Sequence, residues 1–140
     1  MVSKILSIGL FGMDAYMVEC EADVSGGMQA FDIVGLPDSA IRESRDRVRS
    51  AIKNCGYKYP TGHITVNLAP ADIRKEGSVY DLPVLLALLI SNKQITPAAD
   101  LSDSIFVGEV SLDGKLRPIN GVLAMAISAV QKGIKKFFVP

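Results

Sequence analysis

Four basic side chains of one predicted helix are the residues best placed to do chemistry. Within the segment from Ser39 to Asn54, Arg42, Arg45, Arg49 and Lys53 follow one another at spacings of three, four and four residues. Residues at these spacings lie on one face of an α-helix. Such a stripe of cations can sit over successive phosphates and bind a polyanion such as DNA through salt-dependent contacts.

A polar loop predicted from Ala69 to Gly77 adds two further cations, Arg74 and Lys75. We predict that these two side chains and the helix stripe together contact DNA. The alternative is a solvated helix face, on which carboxylates four residues away neutralise the cations. The pairs in question are Arg42 with Asp46 and Glu43 with Arg47. The sequence leaves both interpretations open.

Other reaction chemistries lack the residues they need. His63 is the only histidine, so the sequence provides neither three converging metal ligands nor a Ser-His-Asp triad. Cys20 and Cys55 have neither the number nor the spacing of a disulfide framework or a zinc site. Gly108 to Lys115 is not a phosphate-binding loop, because five residues separate its glycines and Leu116 replaces the required Ser or Thr. We predict no catalytic residue, no metal and no cofactor in this chain.

Composition limits the class of protein. Fifteen Lys plus Arg against fifteen Asp plus Glu give a formal net charge of zero, so any polyanion site must be a local patch. The length of 140 residues allows one domain with a single core, over residues 1–140. The longest apolar stretch, Leu82 to Ile90, has nine residues, about half of the roughly 20 that cross a bilayer. The N-terminus lacks a signal-peptide pattern, so we expect a cytoplasmic protein without a membrane partner.

Apolar patterning predicts the elements that position the basic residues. Three antiparallel strands are expected first, in a hairpin from Val2 to Asp23 and a strand from Met28 to Val34. The helix from Ser39 to Asn54 follows, capped by Asp38 or Ser39. The remaining predicted elements are a strand at His63–Leu68, a helix capped by Asp81 and ending near Asn92, a hairpin of Ile105–Ser111 and Lys115–Pro118, a helix at Gly121–Lys132 and a strand at Lys135–Val139. This order predicts an α+β domain, a mixed β-sheet packed with about three helices.

The helix that begins at Asp81 is apolar around its whole circumference, so we expect it to be almost wholly buried. We predict that its leucines form the centre of the core. They are Leu82, Leu85, Leu86 and Leu89.

Two long segments resemble a known family. Gly35 to Asn54, GLPDSAIRESRDRVRSAIKN, and Ile64 to Leu89, ITVNLAPADIRKEGSVYDLPVLLALL, resemble the N-terminal domain of the magnesium-chelatase-like AAA+ ATPases of the ComM/YifB group. The resemblance implies that the chain is part of a longer protein, with a ring-forming ATPase motor C-terminal to this domain. It implies as partners that motor, other copies of the chain in a hexameric ring, and DNA. ATP and Mg²⁺ would belong to the motor.

The same resemblance implies a function in DNA processing, such as branch migration during natural transformation. In that function the domain would be a non-catalytic accessory module. It would contact the substrate or help to assemble the ring.

A more distant resemblance is to the proteolytic domain of Lon, which has the fold of the ribosomal protein second-domain-like superfamily. Gly108 to Pro140 resembles the stretch that carries Lon's catalytic lysine, and the segment at 75–77 resembles the start of its nucleophile motif. This alignment puts Val79 at the serine position and Leu123 at the lysine position. Neither side chain can attack a carbonyl or accept a proton.

The alternative function is therefore a degenerate Ser-Lys hydrolase with residual peptidase activity. It would have to pair Ser78 with Lys75, three residues away in the polar loop. We expect Lys75 to be solvated there with its ordinary pKa, which makes it a poor base. The sequence favours the accessory domain.

Overall fold

The computed structural model describes residues 1–140. It contains eight strands and three helices. The strands are β1 Val2–Phe11, β2 Asp14–Ser25, β3 Ala30–Val34, β4 His63–Ala69, β5 Ser104–Phe106, β6 Glu109–Val110, β7 Leu116–Arg117 and β8 Lys136–Phe138. The helices are α1 Ser39–Asn54, α2 Asp81–Ser91 and α3 Val122–Gln131. The predicted α+β class, with a mixed sheet and three helices, is confirmed.

Six of the strands form one sheet in the order β3-β4-β2-β1-β5-β8. β1 and β2 pair antiparallel as the predicted hairpin, and β2 pairs antiparallel with β4. β3 was predicted to continue the antiparallel meander, and this prediction is wrong. β4 lies between β2 and β3, and β3 pairs with β4 in parallel, so β3 forms one edge of the sheet.

The sheet carries helices on both faces. Side chains alternate between the faces along a strand, so Ser3 and Leu10 of β1 point in opposite directions. The Ser3 hydroxyl donates to the Ala87 carbonyl of α2, while the side chain of Leu10 packs against Gly121 at the start of α3. α1 packs on α2, and both contribute to one hydrophobic cluster with β1, β2 and β4. α2 and α3 therefore lie on opposite sides of the sheet.

The predicted hairpin around Asp113 and Gly114 forms, but its first strand is shorter than expected. The segment predicted as one strand, Ile105 to Ser111, is divided at Gly108, whose N–H donates to the Val79 carbonyl beside α2. The part before this point joins the main sheet as β5. The part after it pairs with β7 in a separate two-stranded sheet.

The core face of α2 differs from the prediction. Val84, Ala87 and Leu88 are completely buried, and Leu89 is nearly so. The other three leucines predicted for the core, Leu82, Leu85 and Leu86, are only half-buried. Because almost every position of α2 is apolar, its sequence has no periodicity that could identify the inward face.

Cys20 of β2 is completely buried, and burial raises the pKa of its thiol far above the ordinary value of 9.0. The folded protein therefore keeps this thiol neutral at a pH where the unfolded chain ionises it. This contribution to stability is fully present below the unfolded pKa, and it is lost progressively as the pH rises from the unfolded pKa toward the raised folded pKa. We expect this thiol alone to lower the free energy of unfolding by about 1.4 kcal/mol near pH 10.

Urea unfolding under reducing conditions, between about pH 7 and about pH 10, measures this loss. Cys20→Ala should remove that part of the pH dependence, whatever its effect at neutral pH. Cys55→Ala, at an exposed cysteine, is the matched control and should keep the part of the pH dependence that Cys20 causes. Equal pH dependence in the two variants would contradict the prediction.

Candidate polyanion-binding face

Helix α1 is held in place at its first turn and along its apolar face. The Asp38 carboxylate accepts from Ile41 N–H at 2.8 Å, which confirms Asp38 as the N-cap, and from Gly77 N–H at 3.0 Å. Ile41, Val48 and Ile52 are completely buried. The neighbouring face of the helix is therefore fixed toward solvent.

That solvent face presents the predicted basic stripe. All four side chains are exposed: Arg42, Arg45, Arg49 and Lys53. The ring of Tyr59, which follows α1 in the chain, lies beneath two of them. The guanidinium carbon of Arg49 is 5.7 Å and the ammonium of Lys53 is 5.9 Å from the ring centroid. Such contacts keep the two cations on the surface and at a fixed position.

The structure contains only part of the neutralising ion pairs that the alternative interpretation requires. Glu43 pairs with Arg47 at 3.7 Å, as that interpretation expects. Arg42 forms no ion pair, and Asp46 lies 3.5 Å from Arg45 instead. Arg49 and Lys53 are likewise without an acidic partner. An exposed pair such as Arg45–Asp46 contributes about 0 to 1 kcal/mol and can be exchanged for a ligand.

The prediction that Lys75 belongs to this cationic surface is wrong. Its side chain is completely buried, and its ammonium donates to the carbonyls of Gly35, at 2.9 Å, and of Pro70. Burial also lowers its pKa below the ordinary value, contrary to the solvated lysine expected. Lys75 therefore ties two loops together and cannot reach a polyanion. Arg74 next to it is exposed, as predicted.

Gly35 makes this loop contact possible. Its φ of +104° favours glycine, and an added Cβ would lie 2.1 Å from the Leu68 carbonyl oxygen. The loop after β3 can therefore approach β4 closely, where Lys75 bridges it to the loop after β4.

The two positions aligned with the Lon dyad do not face one another across a cleft. Val79 is buried and lines a cleft of about 530 Å³ together with Ser78 and Met125. Leu123 is 75% exposed and is not among the residues that line it. Lys75 directs its ammonium to backbone carbonyls and forms no hydrogen bond with Ser78. The geometry gives the hydrolase alternative no nucleophile and base in contact.

Asp81 was predicted to cap α2, and this prediction is also wrong. It lies inside the first turn, and its buried carboxylate binds Arg47 of α1 through two hydrogen bonds, from Nε at 2.6 Å and from Nη2 at 3.0 Å. The N–H of Val110 donates to the same carboxylate at 3.1 Å. This network fixes α1, and with it the basic stripe, against α2 and the small hairpin. The sequence signal for it was Arg47 itself, the one helix cation off the basic stripe.

No group of three or more His, Cys, Asp or Glu side chains comes together in a way that would hold a metal ion. None of the three helices is long and apolar enough to cross a membrane.

An α+β domain with an exposed cationic helix face is thus the class of molecule that the fold and the site define. Residues 20–140 match the sequence model of a family described as subunit ChlI of Mg-chelatase. The chain belongs to this family, which confirms the resemblance to magnesium-chelatase-like proteins.

Individual relatives match over most of the chain. YifB of Escherichia coli is 46% identical over 124 residues, 89% of this chain and 24% of YifB. The competence protein ComM of Haemophilus influenzae is 42% identical over 135 residues, 96% of this chain and 26% of ComM. An uncharacterized protein of Mycobacterium tuberculosis is 42% identical over 139 residues, 99% of this chain and 27% of that protein. The chain thus spans about a quarter of the length of these curated relatives.

Proposed function

We propose that this chain is a non-catalytic N-terminal accessory domain of a DNA-processing AAA+ ATPase of the ComM/YifB group. The name of the Haemophilus influenzae relative, a competence protein, supports a role in handling DNA. The short share of the relatives that the chain spans leaves room for a motor domain elsewhere in the longer protein. ATP and Mg²⁺ are proposed to act in that motor, in the cytoplasm.

The observation that carries the proposal is the exposed basic stripe of α1. Its cations stand on a rigid helix, and two of them are held over Tyr59. Arg42, Arg49 and Lys53 form no ion pairs that a phosphate would have to break. Exposed Arg74 is proposed to add a contact from the neighbouring loop.

One domain of zero net charge binds DNA weakly, because about four phosphate contacts give only non-specific affinity. Several copies around one strand would bind far more tightly, since the second and later contacts occur at high effective concentration. A ring of copies, a hexamer by the family resemblance, therefore suits this weak single site. The domain contributes substrate contact or ring assembly, and the motor supplies the chemistry.

A salt titration of oligonucleotide binding tests the contact. We expect the logarithm of the association constant for a labelled single-stranded or duplex oligonucleotide to fall with the logarithm of salt concentration, with a slope of about 3 to 4. Arg45→Glu plus Arg49→Glu should reduce the slope by about 2 and weaken binding at every salt concentration. Fluorescence anisotropy measures both quantities.

The matched control reverses two exposed cations outside the stripe, Arg117→Glu plus Lys132→Glu. It changes the net charge by the same amount, so it isolates position from total charge. The control should keep a slope close to that of the unchanged protein. Equal losses in the two double variants would mean that α1 contributes only general charge, and the proposed contact would be rejected.

A further inference from the structure

Strand β3 presents an open backbone edge. It forms the end of the sheet and pairs only with β4, in parallel. The N–H of Ala30 donates to the Gly62 carbonyl on the β4 side. Alternate residues of a strand direct their backbone groups to opposite sides, so Phe31 and Ile33 direct their N–H and C=O groups away from the sheet. No second strand pairs with β3, and no backbone hydrogen bond outside the helices and strands involves these outward groups.

A cleft of about 320 Å³ runs beside this edge. It lies between β3 and the first half of α1, and its lining consists of Phe31, Asp32, Ile33, Arg42 and Arg45. Two guanidinium groups therefore stand next to a strand edge that has unpaired donors and acceptors.

The charges in the cleft are available to a ligand. Arg42 forms no ion pair, and the Arg45 pair with Asp46 is exposed at 3.5 Å. The Asp32 carboxylate, the acidic group in the lining, lies 2.7 Å from His63 Nε2 and is occupied by that contact. The side of the cleft formed by α1 is thus cationic.

We propose that the β3 edge binds an extended acidic segment of a partner protein, which adds to the sheet as a further strand. The added backbone would pair with Phe31 and Ile33, and carboxylates on every second residue would face Arg42 and Arg45. Arginine binds carboxylates through two parallel hydrogen bonds. A strand of alternating acidic and apolar residues satisfies both features of the cleft.

A nucleic acid fits this edge less well. The phosphates that would bind Arg42 and Arg45 only accept hydrogen bonds, so the phosphate backbone would leave the outward carbonyls of Phe31 and Ile33 without donors. A peptide backbone offers a donor and an acceptor in each residue. The unpaired edge therefore favours a peptide over the DNA proposed for the rest of the stripe.

This inference goes beyond the proposed function and shares two residues with it. Arg42 and Arg45 line the cleft, whereas Arg49 and Lys53 lie further along α1 over Tyr59. Amide protection of β3 reports on the peptide site alone, and the salt slope of oligonucleotide binding reports on the polyanion contact alone, so the two can fail independently.

The test uses a peptide of about eight residues with alternating Glu and Val, a length that matches a typical strand. Hydrogen exchange of individual amides is followed by NMR on the isotope-labelled 140-residue chain. Saturating peptide should slow exchange at Phe31 and Ile33 by about tenfold or more, because both amides acquire carbonyl partners. Only one of the two alternate sets of peptide amides faces β3, so N-methylation of that set should abolish both binding and protection, while N-methylation of the other set should preserve them.

Charge is tested separately. Arg42→Glu should weaken peptide binding by about tenfold or more, since it removes a charge-assisted hydrogen bond and adds repulsion. Arg49→Glu is the matched control and should change peptide binding little.

Binding without protection of Phe31 and Ile33, or equal binding of both N-methylated peptides, would overturn the proposal. The same protection by an oligonucleotide would also overturn it, in favour of nucleic acid.

Discussion

Replacing Asp81 with alanine is expected to lower the free energy of unfolding by about 3 to 5 kcal/mol. The carboxylate is 1% exposed and accepts hydrogen bonds from Arg47 and from Val110 N–H. Removing it leaves the guanidinium with only the exposed Glu43 as a charge partner and leaves a buried N–H without an acceptor. The Arg47 side chain is 21% exposed, so water can reach part of it. We therefore expect a loss of stability at the lower end of this range. Urea unfolding at neutral pH measures the loss.

Two further variants show whether the loss comes from the ion pair. Asp46→Ala removes one member of the exposed Arg45–Asp46 pair and should change stability by less than about 1 kcal/mol. Arg47→Met combined with Asp81→Leu replaces both charges. The double variant should lose less stability than the sum of the losses measured for Arg47→Met and Asp81→Leu separately. A loss below about 1 kcal/mol for Asp81→Ala would show that the network contributes little to the position of α1.

Local sequence predicted α1 and its cap well because the signals are contained in the helix itself. Ile41, Val48 and Ile52 repeat at helical spacing, Asp38 supplies the capping carboxylate, and Gly56 follows the helix end. The exposure of the basic stripe follows from the burial of this apolar face. These features depend on residues within one or two turns of one another.

The wrong or missed predictions concern features that depend on contacts between segments far apart in the chain. Met28 to Val34 has the composition of a strand, but its neighbour β4 begins only at His63, so no local pattern reveals the parallel pairing. Lys75 stands among polar residues, yet the two loops that enclose it are separated by more than thirty residues of chain. Tyr59 reaches the basic stripe only because the chain turns back after α1. A tertiary contact that spans such distances leaves no periodic signal in the sequence.

Asp81 was misassigned for a related reason. An acidic residue before an apolar helix is a common N-cap, and local preference alone supports that assignment. The helix packs so that the carboxylate points to α1, where Arg47 binds it with two hydrogen bonds. A charge partner on another helix outweighs a local cap here, because a buried carboxylate without a counter-ion is costly, whereas the first N–H groups of α2 already donate to the Ser78 and Gly108 carbonyls.

Leu88→Ala is expected to lower the free energy of unfolding by about 2 to 5 kcal/mol. Leu88 is completely buried in the main hydrophobic cluster, so its truncation removes apolar contacts and leaves a cavity there. Leu86→Ala deletes the same atoms on the same helix at a half-buried position and should cost less. Urea unfolding of both variants compares the two positions at equal chemistry and equal helix propensity. A larger loss for Leu86→Ala would reverse the assignment of the inward face of α2 and restore the face predicted from its leucines.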